Sequence, residues 1–278
     1  LLGLLEHPNR WIRRRAVLEI GWQNKRSLLP SLVKKVAANE GQASLESLWA
    51  LSLLGGLEEK LALEWLEHKD PHLRRWVVRL LGDKRTISDT LAKALQSLAK
   101  REKDLEGLIQ LAASAKRFPS GQGLPILQTL ADRSENSQDK RLPLMIWWGL
   151  ESHCETGRTM LRDWYRKSDT WEQPVFRETI AQRLMRRYAM AGGEKNLNSC
   201  AVLLGSAPDQ TAAKLLLTGL QLAFQGTSIP PLPKRLAKQM DDLAKKSGKN
   251  PLLMEVLRGN DKAIKQALAI VSNSSADT

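Results

Sequence analysis

Residues 4–21 read LLEHPNRWIRRRAVLEIG, and residues 65–82 read WLEHKDPHLRRWVVRLLG. The two stretches align without a gap at an offset of 61 residues, from residue 4 to residue 65. Leu5-Glu6-His7 falls on Leu66-Glu67-His68, and both stretches end in glycine. A long ungapped match of this kind predicts that one structural unit is present twice.

The second copy has the signals of a complete helix. Asp70 can cap the helix, and Pro71 suits the first helical position because its missing N–H has no partner there. Apolar residues then follow the three- and four-residue spacing of one helical face, at Leu73, Trp76, Val77, Leu80 and Leu81. Gly82 marks the end of the helix.

Two further helices are predicted between the copies, from SLLPSLVKKVAAN (27–39) and ASLESLWALSLLGG (43–56). The 61-residue interval then spans four helices, which form two hairpins of roughly 30 residues each. Aromatic residues make up only 5% of the chain, and strand patterns are nearly absent. Because a single hairpin cannot bury its own apolar face, the pattern predicts an all-α protein, an α-solenoid.

The turn and helix at 70–77 resemble the HEAT-repeat signature. In that signature an Asp-Pro turn is followed by an aliphatic residue, an arginine and a small apolar residue. Asp70, Pro71, Leu73, Arg74 and Val77 occupy these places. In the first copy Asn9 stands for the aspartate, and Ile12, Arg13 and Ala16 follow. The resemblance implies a right-handed α-solenoid of HEAT-like hairpins.

Helical patterns continue after the second copy, although the 61-residue register fades. They cover 87–101, 104–117, 122–133, 140–152, 157–167, 174–190, 195–205 and 209–225. FPSGQG (118–123) and ADRSENSQDK (131–140) are typical of turns. We expect a HEAT-like solenoid at 1–228, an atypical C-terminal helical cap at 229–271 and a disordered tail at 272–278.

The formal net charge is +13 and the pI is about 9.9, which favours anionic partners. Cys154 and Cys200 lack the spacing of a disulfide framework, a zinc ribbon or a haem-attachment site. The sequence has neither an apolar run of membrane-spanning length nor a signal-peptide pattern. Because it opens with Leu1 and a helical pattern, we expect it to be an internal segment of a longer polypeptide.

Arginines and tryptophans supply the candidate binding residues. The repeat signature assigns Arg13 and Arg74 to pairing with the capping residue and nearby carboxylates. Trp49 and Trp76 lie on apolar stripes, which predicts that they belong to the core. The remaining candidates for a surface that binds a polyanion or a protein are Arg14, Arg75, Arg183, Arg186, Arg187, Trp147, Trp148 and Trp164.

Residues typical of catalysis or metal binding are few. His68 and His72 are separated by a turn and have no third ligand nearby. His153-Cys154-Glu155 has suitable atoms for nucleophilic chemistry, but adjacent residues on a helix point apart. Phosphate-binding glycine motifs are absent. The sequence therefore predicts a non-enzymatic segment without catalytic, cofactor-binding or metal-binding residues.

Three stretches resemble the helical-repeat region of large planctomycete and verrucomicrobial proteins of the membrane-bound dehydrogenase or haem-binding type. They are DKRLPLMIWWGLESH (139–153), RLMRRYAMAGG (183–193) and LLLTGLQLAFQG (215–226). The resemblance implies a scaffold or protein-interaction segment between a dehydrogenase-like propeller and a cytochrome c-like domain. It also implies export or a periplasmic location, with the flanking domains or another protein as partners. This chain has no CxxCH, so no haem ligand carries over.

The alternative function is nucleic-acid binding by a solenoid similar to the HEAT-like DNA glycosylases. The charge, the arginine-rich helices and the nine tryptophans favour it. RDWYRK (162–167), where Asp163 precedes Trp164, is the nearest candidate for a base-handling cluster. The spread of the basic residues along the chain disfavours it.

Overall fold

The computed structural model of this chain is helical, and no strand occurs in the residues it describes. These residues are 1–38, 41–227, 229–247, 252–257 and 259–272. Two compact units divide the chain: Leu1–Arg133 with Asp139–His153, and Ser134–Gln138 with Cys154–Thr278. The predicted all-α class is confirmed for the described part of the chain.

Paired helices build the first unit. In chain order they are α1 (Arg10–Trp22), α2 (Leu29–Ala38), α3 (Gln42–Leu53), α4 (Glu59–Trp65), α5 (Pro71–Asp83), α6 (Asp89–Arg101), α7 (Leu105–Ala115), α8 (Ser120–Ala131) and α9 (Leu142–Ser152). Helices α5 to α8 each begin about 61 residues after their counterparts α1 to α4. The repeat in the sequence is thus a repeated four-helix element.

Both copies begin their first helix with the same hydrogen bonds. Asn9 Oδ1 accepts the N–H of Trp11 at 2.9 Å, and Asp70 Oδ1 accepts the N–H of the residue two positions later, also at 2.9 Å. The Nδ1 atoms of His7 and His68 accept the N–H groups of these two capping residues at 3.0 and 3.1 Å. Caps of this kind satisfy N–H groups that have no partner within the helix.

Alternate helices pack side by side in the first unit. Helix α3 contacts both α1 and α5, and α7 contacts both α5 and α9. On the other layer, α6 contacts both α4 and α8. In the first helix of each copy and the turn before it, core positions are equivalent: Leu5 and Leu66, Val17 and Val78, and Ile20 and Leu81.

Two equivalent glycines allow these helices to approach closely. A Cβ on Gly82 would lie 2.6 Å from Ser114 Oγ and 2.8 Å from Ser114 Cβ. A Cβ on Gly21 would lie 3.1 Å from the Leu53 side chain. The glycines that end the two quoted stretches therefore remain inside their helices, where they make room for the neighbouring helix.

The second unit opens with the 3₁₀ turn Ser134–Gln138, which contacts the π-helical segment Val175–Ile180. Its α-helices are α10 (Arg158–Tyr165), α11 (Ser168–Glu172), α12 (Ala181–Ala191), α13 (Gly193–Leu204), α14 (Gln210–Ala223), α15 (Lys234–Ser247), α16 (Leu252–Leu257) and α17 (Asp261–Ser272). Helix α12 packs on α13 and α14, and α15 packs on α13.

Most of the predicted helices are found within a few residues of their expected ends. Helices α4 and α11 are too short to give a clear apolar period, and the sequence did not predict their bounds. The expected turn at 118–123 is shorter than predicted, because α8 already begins at Ser120. Residues 273–278 of the expected tail lie outside the described residues.

Candidate binding site

Arg74, the arginine of the HEAT-like signature, is engaged inside the fold. Its Nη1 donates to the carbonyl oxygens of His68 (2.7 Å) and Lys69 (3.1 Å). Its Nε and Nη2 donate to the two carboxylate oxygens of Glu102 at 2.7 and 2.6 Å. Burial raises the pKa of Glu102, but hydrogen bonds from Arg74 and from the N–H of Asp104 outweigh it, and the pKa lies below its ordinary value. Arg74 is therefore structural.

Arg13 repeats the arrangement in the first copy. Its Nη1 donates to the carbonyl oxygens of His7 (2.8 Å) and Pro8 (2.9 Å), and its Nε donates to Glu46 Oε1 at 3.1 Å. Glu46 is only 1% exposed, and its Oε2 has no hydrogen-bond partner within the described residues. The predicted pairing of both arginines with carboxylates is confirmed. The capping side chains instead accept N–H groups of their own helices.

Helix α1 presents a stripe of large side chains to solvent. Trp11 is 71% exposed and Trp22 is 65% exposed, and Leu18 is exposed between them. Arg14 and Arg15 are also exposed, and the Arg15 guanidinium lies 4.9 Å from the centre of the Trp22 ring. Their spacing along the chain is that of one helical face. Contiguous exposed apolar side chains of this kind often mark a contact surface.

Helix α5 carries the equivalent face of the second copy. The ring of Trp76 meets that of Trp49 from α3 edge to face, with centroids 4.7 Å apart, and the Arg79 guanidinium lies 5.5 Å from the Trp76 ring. Both tryptophans are half-buried, so the core prediction is correct only in part. Arg75, the equivalent of Arg14, is half-buried.

These residues define what we call the aromatic–arginine face of the first unit. It consists of Trp11, Arg14, Arg15, Leu18, Trp22, Trp49, Arg75, Trp76 and Arg79. Helix α3 links the two stripes, since Leu53 lies against Gly21 of α1 and Trp49 lies against Trp76 of α5. The sequence argument missed Trp11, Trp22 and Leu18. Their spacing along α1 was the signal that could have found them.

A groove of about 700 Å³ lies where α5, α7 and α9 meet. Two alanines of α7 line it, together with Asp83, Arg85, Lys116, Arg117, Met145 and Trp148. Trp148 is 49% exposed, whereas its neighbour Trp147 is buried. This agrees with the 100° between successive helical residues. Trp147 therefore offers almost no surface to a partner.

The remaining predicted candidates lie in the second unit. Trp164 is buried and meets Phe176 edge to face, with ring centroids 5.1 Å apart. The Arg183 Nη1 donates to the carbonyl oxygen of Thr179 at 2.8 Å. Arg186 is exposed and Arg187 is half-buried. Trp164 is thus core, and the binding role of the three arginines stays a prediction.

Arg158 organises the polar interior of the second unit. Its guanidinium donates to Ser199, Asn196 and Glu155, each at 2.7 Å, and lies 5.1 Å from the centre of the Tyr188 ring. The Tyr188 hydroxyl is buried and has no partner within the described residues. Burial raises the pKa of Tyr188 above its ordinary value.

His153 and the two cysteines are held in structural positions. His153 Nε2 lies 3.1 Å from the Ala115 carbonyl oxygen, and Nδ1 lies 3.1 Å from Ser120 Oγ; burial lowers the His153 pKa. Both cysteines are buried, and burial raises the pKa of the Cys200 thiol to about 12. Within the described residues, no cluster of three histidine, cysteine or carboxylate ligands could hold a metal ion.

Comparisons of this chain with known protein families, with characterised proteins and with solved structures found no match. Among the described helices, none combines the length and the apolar character that crossing a bilayer requires.

Proposed function

We propose that this chain is a non-enzymatic scaffold, a right-handed α-solenoid of HEAT-like hairpins that docks a protein partner. The order of helix contacts in the first unit supports this architecture. Alternate helices meet in succession from α1 to α9, and α4, α6 and α8 do the same on the other layer. Such nearest-neighbour packing is typical of stacked hairpins. The two arginine–carboxylate networks add support, since each ties the turn of one hairpin to the next hairpin.

The exposed tryptophans of α1 carry the docking proposal. A tryptophan buries about 150–250 Å² when it is covered. At about 25 cal/mol per Å², covering the exposed 71% of Trp11 or 65% of Trp22 would gain about 2.5–4.5 kcal/mol of gross hydrophobic free energy. Tryptophan and arginine are also the residues most often found at the energetic centre of protein interfaces. The aromatic–arginine face has both.

The wider context of the scaffold follows from the family resemblance. We infer that the chain is an internal segment of an exported multidomain protein, between a dehydrogenase-like propeller and a cytochrome c-like domain. The parent protein would be the oxidoreductase, and this segment would position its redox domains. A stack of hairpins suits that role, because it provides an extended and semi-rigid surface.

The experiment starts from the natural reading frame on both sides of this chain. The flanking domains are expressed separately, and their binding to this segment is measured by calorimetry. We expect binding that weakens at least about 100-fold in Trp11→Ala/Trp22→Ala. Lys93→Ala on α6, an exposed cation of the other layer, is the matched control. Docking through this face would be refuted if the flanking domains do not bind. It would also be refuted if they bind the Trp11→Ala/Trp22→Ala variant as tightly as the wild type.

Nucleic-acid binding is the second candidate function. Arg14, Arg75 and Arg79 favour it, because they lie on the aromatic–arginine face and have no ion pair within the described residues. Anisotropy titrations with a random DNA duplex and with single-stranded DNA test it. Affinity that collapses between about 50 and 200 mM salt, and that falls in Arg14→Ala/Arg75→Ala, would support this function. If neither DNA binds at low salt, this function is excluded.

A further inference from the structure

The groove between α5, α7 and α9 combines an apolar floor with two uncommitted cations. Met145, Trp148 and the alanines of α7 supply the apolar surface. Arg117 is ion-paired with Asp83, so these two charges neutralise each other. Arg85 and Lys116 are exposed and have no ion pair within the described residues.

Lys116 alone has a simple explanation, because it directly follows the last residue of α7. A cation at this position stabilises the negative end of the helix dipole. An anion-binding role therefore needs an observation that the helix end does not explain. Arg85 supplies it.

Arg85 occupies a backbone conformation that its side chain disfavours. Its φ is +62°, and the equivalent position of the first copy is Asn24, with a φ of +44°. Asparagine and glycine adopt this left-handed region with little strain, and glycine is the usual residue just after a helix end. The second copy therefore has a long cation at a place where the backbone favours a small residue. Strain of this kind is often found at functional sites.

The surroundings of the two cations favour a peptide over a nucleic-acid strand. The carbonyl ends of α5 and α7 lie at the same groove, and their partial negative charge repels a continuous row of phosphates. A peptide can place one carboxylate at the cations and an apolar side chain on the floor. Methionine adapts its shape to such side chains. A volume of about 700 Å³ holds several side chains.

We propose that this groove binds a short acidic segment of the protein partner, with a carboxylate at Arg85 and Lys116 and an apolar side chain against Met145 and Trp148. The inference rests on the proposed docking function and names the chemistry of the partner segment. It adds a second contact region to the aromatic–arginine face.

The test uses a short fluorescein-labelled acidic peptide in which one glutamate lies beside a Leu-Leu pair and neutral residues fill the other positions. We expect binding that weakens at least about tenfold in Arg85→Asn and in Trp148→Ala, and that is unchanged in Lys93→Ala. Arg85→Asn copies Asn24 of the first copy, so its melting temperature should rise while its affinity falls. The same peptide without the leucines should bind more weakly than the probe.

Three results would overturn the proposal. The first is Arg85→Asn with a raised melting temperature and unchanged peptide affinity. The second is no binding of the acidic peptide at low salt. The third is Arg85-dependent binding of an oligothymidine in place of the peptide, which identifies a nucleic-acid groove. The docking proposal is tested separately, because Trp11→Ala/Trp22→Ala should leave peptide affinity unchanged while it weakens binding of the flanking domains.

Discussion

Replacing Glu102 by glutamine should destabilise the first unit much more than the matching change in the first copy. Glu102 is 2% exposed and accepts two hydrogen bonds from Arg74, together with the N–H groups of Lys103 (2.9 Å) and Asp104 (3.0 Å). Glutamine keeps one acceptor oxygen but turns an NH₂ group toward donors. Because hydrogen bonds to charged groups contribute about 1.5–3 kcal/mol, we expect Glu102→Gln to cost about 2–3 kcal/mol.

Glu46 provides the control within the same chain. It receives one hydrogen bond from Arg13 and one from Gln42, both on Oε1, and its buried Oε2 has no partner within the described residues. The wild-type carboxylate is already poorly satisfied, so Glu46→Gln should cost about 1 kcal/mol or less. Equal losses in the two variants would refute the argument from geometry.

Urea unfolding followed by tryptophan fluorescence measures both costs. Most of the tryptophans belong to the first unit, so the signal follows mainly the unfolding of that unit. The slope of the free energy against urea should be the same in all variants, which shows that the unfolded reference is unchanged. A loss below about 0.5 kcal/mol for Glu102→Gln would show that the buried pair contributes no net stability.

For the same variant, the direction in which pH changes the loss of stability can also be predicted. The pKa of Glu102 is lowered in the folded state, so its contribution is fully present above the unfolded value of about 4.3 and is lost as the pH falls through the folded value. Glutamine cannot titrate. The free-energy difference between wild type and Glu102→Gln should stay constant above about pH 5 and shrink below about pH 4.

Three further predictions concern packing, an unsatisfied hydroxyl and a buried thiol. Gly82→Ala places a Cβ against Ser114, so it should lower the free energy of unfolding in urea by about 1–3 kcal/mol. Gly121→Ala is the control, because nothing lies within 4 Å of its Cβ, and it should raise that free energy by up to about 1 kcal/mol. Tyr188→Phe removes a buried hydroxyl without a described partner and should be neutral or stabilising, and a loss above about 1 kcal/mol would reveal a partner for the hydroxyl. Because burial raises the pKa of the Cys200 thiol to about 12, it should react with Ellman's reagent only after unfolding, and rapid native labelling would contradict its burial.

The sequence alone predicted the repeat well, because both copies are specified by local chemistry. A capping side chain, a buried leucine and a helix with one apolar face recur at the same offset, and each of these acts over a few residues. The helices beyond the second copy were also predicted closely from apolar spacing. Helices α4 and α11 were not predicted, because α4 has seven residues and α11 has five, too few to show a periodic apolar pattern.

The carboxylate partner of Arg74 could not be predicted from the 61-residue repeat. The residue 61 positions after Glu46 is Gly107, which carries no charge. Glu102 takes over the role from the turn before α7, and its Cγ lies 3.1 Å from the position that a Cβ on Gly107 would take. The same guanidinium thus obtains its partner from another position. Only the packing of α7 on α5 reveals it.

The first helices of the two copies differ at exposed positions, which the proposed docking function would use for specificity. In α1 and α5 the buried positions keep their apolar character at the 61-residue offset, since they pack these helices against their neighbours. The exposed positions diverge: Arg15 becomes Trp76, Leu18 becomes Arg79 and Asn24 becomes Arg85. Trp76 packs against Trp49, and Arg79 lies over the Trp76 ring, whereas Arg85 has no ion pair within the described residues and opposes stability through its backbone conformation. Residues that folding does not require are the ones free to match a partner, so Arg85 is the sharpest place to test for one.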